Sequence, residues 1–118
     1  MAAPQRLICA SAALADSGDG VRFEVAFEGE PTPAFAVRFE GSVYAYLNRC
    51  GHMPMELDWK PGKFFDQEGM VLVCSTHGAT YEAGSGRCIG GPCLGGPCAR
   101  GLVPVSIEER DGGVFVDG

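Results

Sequence analysis

The chain's two histidines each stand beside a cysteine. Cys50-Gly51-His52 forms one arm, and Cys74-Ser75-Thr76-His77-Gly78 forms another after 21 intervening residues. Each arm offers one soft thiolate and one imidazole, donors suited to zinc, copper or iron rather than to a hard cation. The first arm is tight. One residue between Cys and His leaves little slack for both donors on a single tetrahedral ion, where spacers of about two to four residues are usual. Two adjacent irons remove the difficulty, because each arm can give its thiolate to one iron and its imidazole to the other. A mixed Cys/His zinc site is the alternative metal chemistry for the same donors. Histidines merely packed in a core would not both fall next to cysteines.

The C-x-H…C-x-x-H pattern, with Gly78 directly after the second histidine and Tyr81 four residues beyond it, resembles the Rieske family. The resemblance implies one [2Fe–2S] cluster, with Cys50 and Cys74 on the inner iron and His52 and His77 on the outer. It implies a surrounding shell of Gly78, Ala79, Tyr81, Gly91 and Pro92, with the Tyr81 hydroxyl donating to the sulfur of Cys50. Gly91-Pro92 or Gly96-Pro97 resembles the Gly-Pro loop that such proteins pack over the cluster. There glycine lets the backbone approach, and proline screens the sulfurs without adding a donor. Two departures set the chain apart from the respiratory type. Its arm-to-arm disulfide has no counterpart, because Met55 and Ser75-Thr76 occupy the places of its cysteines. Its serine two residues past the second histidine is Ala79 here.

The elements that must carry these arms read as strands. Residues 5–10 form a short strand before a loop ending in Asp16-Ser17-Gly18-Asp19-Gly20. Residues 21–27 alternate through Val21, Phe23, Val25 and Phe27, and residues 34–39 through Phe35, Val37 and Phe39. Glu28-Gly29-Glu30-Pro31 reads as a turn between them, and Glu40-Gly41-Ser42 leads tightly into 43–47. These predict antiparallel strands with one buried face. Residues 70–73 form a short strand delivering Cys74, and 79–82 another. Residues 103–109 alternate again, and Asp111-Gly112-Gly113 turns them into 114–116. The expected architecture is all-β: one Rieske-like domain with an antiparallel sandwich or barrel base (about 1–48 and 101–118). The cluster-binding subdomain and Gly/Pro loop (about 49–100) are inserted into it. Trp59, Phe64 and Phe65, in the connection between the arms, read as packing or as a docking patch beside the cluster.

A chain of 118 residues makes one domain with a modest core. Six cysteines could suggest a secreted disulfide scaffold, but two serve as ligands and the rest form no spaced framework. Cys9 is expected in the base core. Cys88, Cys93 and Cys98, in the near-repeat Cys-Ile-Gly-Gly-Pro/Cys-Leu-Gly-Gly-Pro, are expected as reduced loop thiols. The apolar stretch 7–15 is too short and too polar for a signal peptide or a span, so a soluble cytoplasmic protein is expected. Net charge is −6, which argues against nucleic acid as a partner. Between positions 49 and 100, five basic residues balance five acidic ones, so the excess acid lies in the base.

A Rieske cluster moves one electron. The resembled oxygenases also need a mononuclear iron held by two His and a carboxylate, and both histidines here are already used. No G-x-G-x-x-G follows a strand to hold a flavin or nicotinamide. The chain therefore reads as a carrier and not an enzyme. It would be a ferredoxin taking electrons from a ferredoxin reductase and passing them to an oxygenase or other terminal oxidoreductase. The alternatives are a non-catalytic subunit of a complex such as nitrite reductase, and a redox sensor combining the cluster with loop thiols.

Overall fold

Tight two-residue turns set the strand boundaries. The computed structural model describes residues 5–49, 57–58, 62–74, 79–90 and 101–117. Its strands are β1 (Gln5–Ala10), β2 (Val21–Phe27), β3 (Glu30–Phe39), β4 (Ser42–Leu47), β5 (Val71–Val73), β6 (Thr80–Glu82), β7 (Cys88–Gly90), β8 (Ile107–Arg110) and β9 (Gly113–Asp117), with one 3-10 turn at Ser11–Ala13. They make three antiparallel sheets in the orders β1-β9-β8, β2-β3-β4 and β5-β6-β7. Glu28-Gly29, Glu40-Gly41 and Asp111-Gly112 join the hairpins, each with positive φ at both residues. That is the turn whose twist suits paired strands, and glycine takes the second position without strain.

The all-β expectation holds, and the middle sheet corrects one part of it. Strand β3 was expected to bury one face, but Ala34, Phe35, Ala36 and Val37 are all buried. Its alanines, with Ala45 and Leu47 of β4, face the base core of Val25, Val114 and Val116. Phe35, Val37 and Tyr46 face the other way, into a core shared with Leu57, Phe64, Leu72, Cys74 and Tyr81. Small residues on one side and large ones on the other let a single sheet serve two cores. Cys9 packs against the base core as expected, and burial, opposed by Arg38, raises its thiol pKa.

Three boundaries differ from the sequence expectation. Strand β3 starts at Glu30, so Pro31 and Pro33 lie within it, opposite Ala26 and Glu24 of β2. The Asn48 amide donates to the Pro33 carbonyl at 2.8 Å, so the backbone polar side of Pro33 faces beyond the end of the β3–β4 ladder. The missing proline donors therefore point where no ladder bond is due. Residues 103–109 do not form one strand. Val103 and Val105 bond to Leu47 and Ala45 of β4 on either side of a bridge between Pro104 and Tyr46, and the chain then enters the β8–β9 ladder. It thereby laces the two base sheets together. Residues 88–90, expected as loop, form β7 on the edge of the third sheet.

Candidate metal centre

Cys74 is the described residue of the four expected ligands; Cys50, His52 and His77 lie outside the described residues, as do Gly78, Gly91 and Pro92. Strand β5 delivers Cys74 and β6 leaves after it, so the second arm is the loop of a hairpin. The hairpin closes where the Cys74 amide donates to the Ala79 carbonyl at 2.9 Å, one step beyond the Val73–Thr80 pair. Cys74 and Ala79 have zero exposure. Tyr81 is also fully buried and pairs with Leu72 and Cys88 across the sheet. The structure thus gathers Cys74, Ala79 and Tyr81 into one dry cluster with Leu57 and Leu72.

Asn48, two residues before Cys50, holds the two described points that bracket residues 49–56. Its side-chain oxygen accepts from the Leu57 amide at 2.8 Å, and its Nδ2 donates to Asp58 Oδ1 at 2.9 Å. Asp58 Oδ2 accepts from the Gly62 amide at 2.9 Å and lies 3.4 Å from Arg22 Nε. Sequence reading counted Asp58 only as one of five balancing acids. An aspartate four residues before a glycine in a Pro-Gly turn was the available signal.

The neck of the third loop is equally close-fitting. A Cβ on Gly90 would stand 2.5 Å from Thr80 Oγ1, and one on Gly101 only 2.3 Å from the Gly86 carbonyl oxygen. Cys88, expected as a reduced loop thiol, is instead disulfide-bonded on β7, with a partner outside the described residues. Cys9 and Cys74 stand outside any disulfide.

Of the two readings of Phe64, packing holds and the docking patch does not: it is fully buried and stacks on Phe35 with ring centroids 4.0 Å apart. Phe65 is partly buried and stacks on Phe39, while Trp59 lies outside the described residues. Tyr46 ties β4 to the chain just past β6, donating to the Ala83 carbonyl at 2.6 Å. Burial, with smaller contributions from Tyr44 and Glu82, pushes its hydroxyl up to about 12.

These surroundings fit an iron–sulfur cluster. Inner-iron thiolates need shielding from water, since solvent at the sulfurs changes the potential, and Cys74 has that shielding. The donor set of two cysteines and two histidines is the one such a centre uses. No helix among the described residues is long and apolar enough to cross a membrane.

Solved structures show the same fold. A Sphingomonas yanoikuyae B1 ferredoxin superposes with TM-score 0.70 at 20% identity, over 98% of this chain and 99% of that one. The ferredoxin of carbazole 1,9a-dioxygenase from Nocardioides aromaticivorans IC177 gives 0.71 at 22% identity, covering 96% of both chains. A complex of reduced oxygenase and oxidized ferredoxin in carbazole 1,9a-dioxygenase gives 0.69 at 22%, over 97% and 93%. No curated protein matches the sequence. A family model described as the Rieske [2Fe-2S] domain matches residues 5–105. The chain belongs to the Rieske [2Fe–2S] domain family, and with that family comes one [2Fe–2S] cluster.

Proposed function

We propose that the protein is a cytoplasmic one-electron carrier, a ferredoxin that takes electrons from a ferredoxin reductase and donates them to a terminal oxygenase. In this reading Cys50 and Cys74 hold the inner iron and His52 and His77 the outer. The domain divides into a base of about 1–48 and 101–118 and a cluster-binding part of about 49–100. Gly78, Ala79, Tyr81, Gly91 and Pro92 surround the cluster. The observation that carries the reading is Cys74, fully buried just past β5, where its amide closes the β5–β6 hairpin on the Ala79 carbonyl. The chain's histidines number two, and each follows an arm cysteine. None is left for a mononuclear iron of the two-His, one-carboxylate kind, so oxygen chemistry belongs to the partner. The structural neighbours agree, being ferredoxins and an oxygenase–ferredoxin complex.

When bound, the cluster supplies reversible one-electron transfer. The chain's own residues shield the sulfurs and hold the arms. Purified protein should contain two irons and two labile sulfides per chain and give a rhombic EPR signal with low average g after reduction. It should then pass electrons from a flavin-dependent reductase to a Rieske oxygenase. Zinc without labile sulfide would overturn the ligand assignment, and substrate oxidation by the isolated chain would overturn the carrier reading. Arg49 and Arg87 lie in the charge-balanced half, so docking there should show weak dependence on ionic strength. A transfer rate that collapses with added salt would place docking on the acidic base.

A further inference from the structure

Asp58 is an acidic side chain with no access to water, and the carrier function gives it no task. Its side chain is fully buried, while that of Arg22 is 39% exposed. A carboxylate in such a place is costly unless each oxygen is satisfied, and here both are. Oδ1 accepts from Asn48 and Oδ2 from the Gly62 amide, with Arg22 alongside. Gly62 meets this demand at φ +87°, and its carbonyl in turn accepts from the Gly20 amide at 2.8 Å. Every partner has a defined place. Arg22 belongs to β2, Asn48 follows β4, and Gly62 begins the return toward β5. Asn48 also bonds Pro33 of β3 through its backbone and Leu57 through its side chain.

We propose that Asp58 is a positioning residue for the cluster, holding the first ligand arm through Asn48, and that Asp58 and Arg22 act on the cluster's potential as opposed fixed charges. The proposal rests on the Rieske ligand assignment above. The geometry of the arm follows from chain length. Asn48 stands two residues before Cys50, so the two α-carbons are within about 7 Å of each other. The chain returns to the same side chain at Leu57, whose amide donates to the Asn48 oxygen. One side chain thereby brings together the two points that bracket residues 49–56, and Asp58 sets that side chain. Leu57 buries in the same core as Cys74, Ala79 and Tyr81, so the clamp and the second arm share one packed environment. Reduction adds one negative charge to the cluster. A buried carboxylate beside the shared core disfavours that charge and a guanidinium favours it, the buried carboxylate being the less screened of the two.

The opposed signs separate this role from simple damage to the fold. The experiment uses holoprotein and three variants, Asp58→Asn, Arg22→Gln and Asn48→Ala. It reads the reduction potential by EPR-monitored titration and the rate of iron release to an excess of ferrous chelator. Asp58→Asn should raise the midpoint and Arg22→Gln should lower it. Asn48→Ala should release iron about ten-fold faster, in line with other losses of support behind a metal ligand. Shifts of the same sign, or none, in the two charge variants would overturn the electrostatic half. Iron release from Asn48→Ala at the wild-type rate would overturn the positioning half. Should Asp58→Asn fail to fold, Arg22→Gln alone decides the electrostatic half, since its partly exposed side chain leaves the buried contacts to Asn48 and Gly62 intact. Failure of the underlying assignment looks different: wild-type protein would then lack the [2Fe–2S] EPR signal.

Discussion

Tyr81 brings a phenol into a space with no exposure, and a buried phenol needs an acceptor. We propose the Cys50 thiolate as that acceptor; such a bond strengthens when reduction adds negative charge, so it would raise the potential. A differential of roughly 1 kcal/mol corresponds to roughly 40 mV for one electron. Tyr81→Phe should therefore lower the midpoint by tens of millivolts, and Ala79→Ser should raise it by a similar amount. Voltammetry of the two holoproteins checks both. With one hydroxyl available, the wild-type value should sit in the lower half of the Rieske span of about −150 to +300 mV. Tyr46 offers a pH test. Its hydroxyl is held near 12 in the fold against about 10 in an unfolded chain. The folded state thus keeps its proton longer, and the stability this contributes is whole below pH 10 and drains away as pH rises toward 12. Alkaline unfolding followed by circular dichroism should lose part of its steepness in Tyr46→Phe. Cys88 is a third case. Alkylation of denatured, unreduced protein should mark Cys9 and spare Cys88. Marking of Cys88 would return it to the reduced loop thiol that cysteine spacing suggests. At this scale the sequence showed ligand chemistry well, because Cys and His announce themselves by type and offset. It did not show Asn48 and Asp58, whose importance comes from burial and from each other, and neither is visible in a linear pattern.

Strands were legible wherever a turn bounded them. The Glu-Gly and Asp-Gly pairs located three hairpins, and the alternation of Val21, Phe23, Val25 and Phe27 marked the inner face of β2. Burial of both faces of β3 was less legible, because alanine is too small to register as a core residue in an alternating pattern. The same blindness applied to Phe64. An aromatic in a long connection reads equally well as surface or as core, and only its stack on Phe35 decides. That stack is what holds the inserted connection to the middle sheet. Phe64→Ala should cost about 3–5 kcal/mol of stability, the usual range for truncating a fully buried phenylalanine. Urea denaturation of the holoprotein measures it, and a loss under 1 kcal/mol would mean that the connection is anchored elsewhere. Residues 103–109 misled for a different reason. Alternation persists through Val103, Val105 and Ile107, yet the bonding passes from β4 to β9 between Val105 and Ile107.

In the molecule as a whole, acid gathers on the base while the half bearing the ligand arms is neutral. A negatively charged base discourages molecules from meeting through their β-sheets, and the chain adds a second safeguard. The edge of β3 that runs past the end of its ladder carries Pro31 and Pro33, both exposed, with no amide hydrogen to offer. A ladder partner arriving there from another molecule finds no donor at Pro31 or Pro33, and the Pro33 carbonyl already taken by the Asn48 amide. The consequence concerns crowding and storage. The protein should stay dispersed at concentrations where a bare edge would recruit neighbours. Replacing Pro31 with Thr restores a donor on a strand already held in extended form. Light scattering should then show concentration-dependent association absent from the parent, while the visible spectrum of the cluster stays as it was.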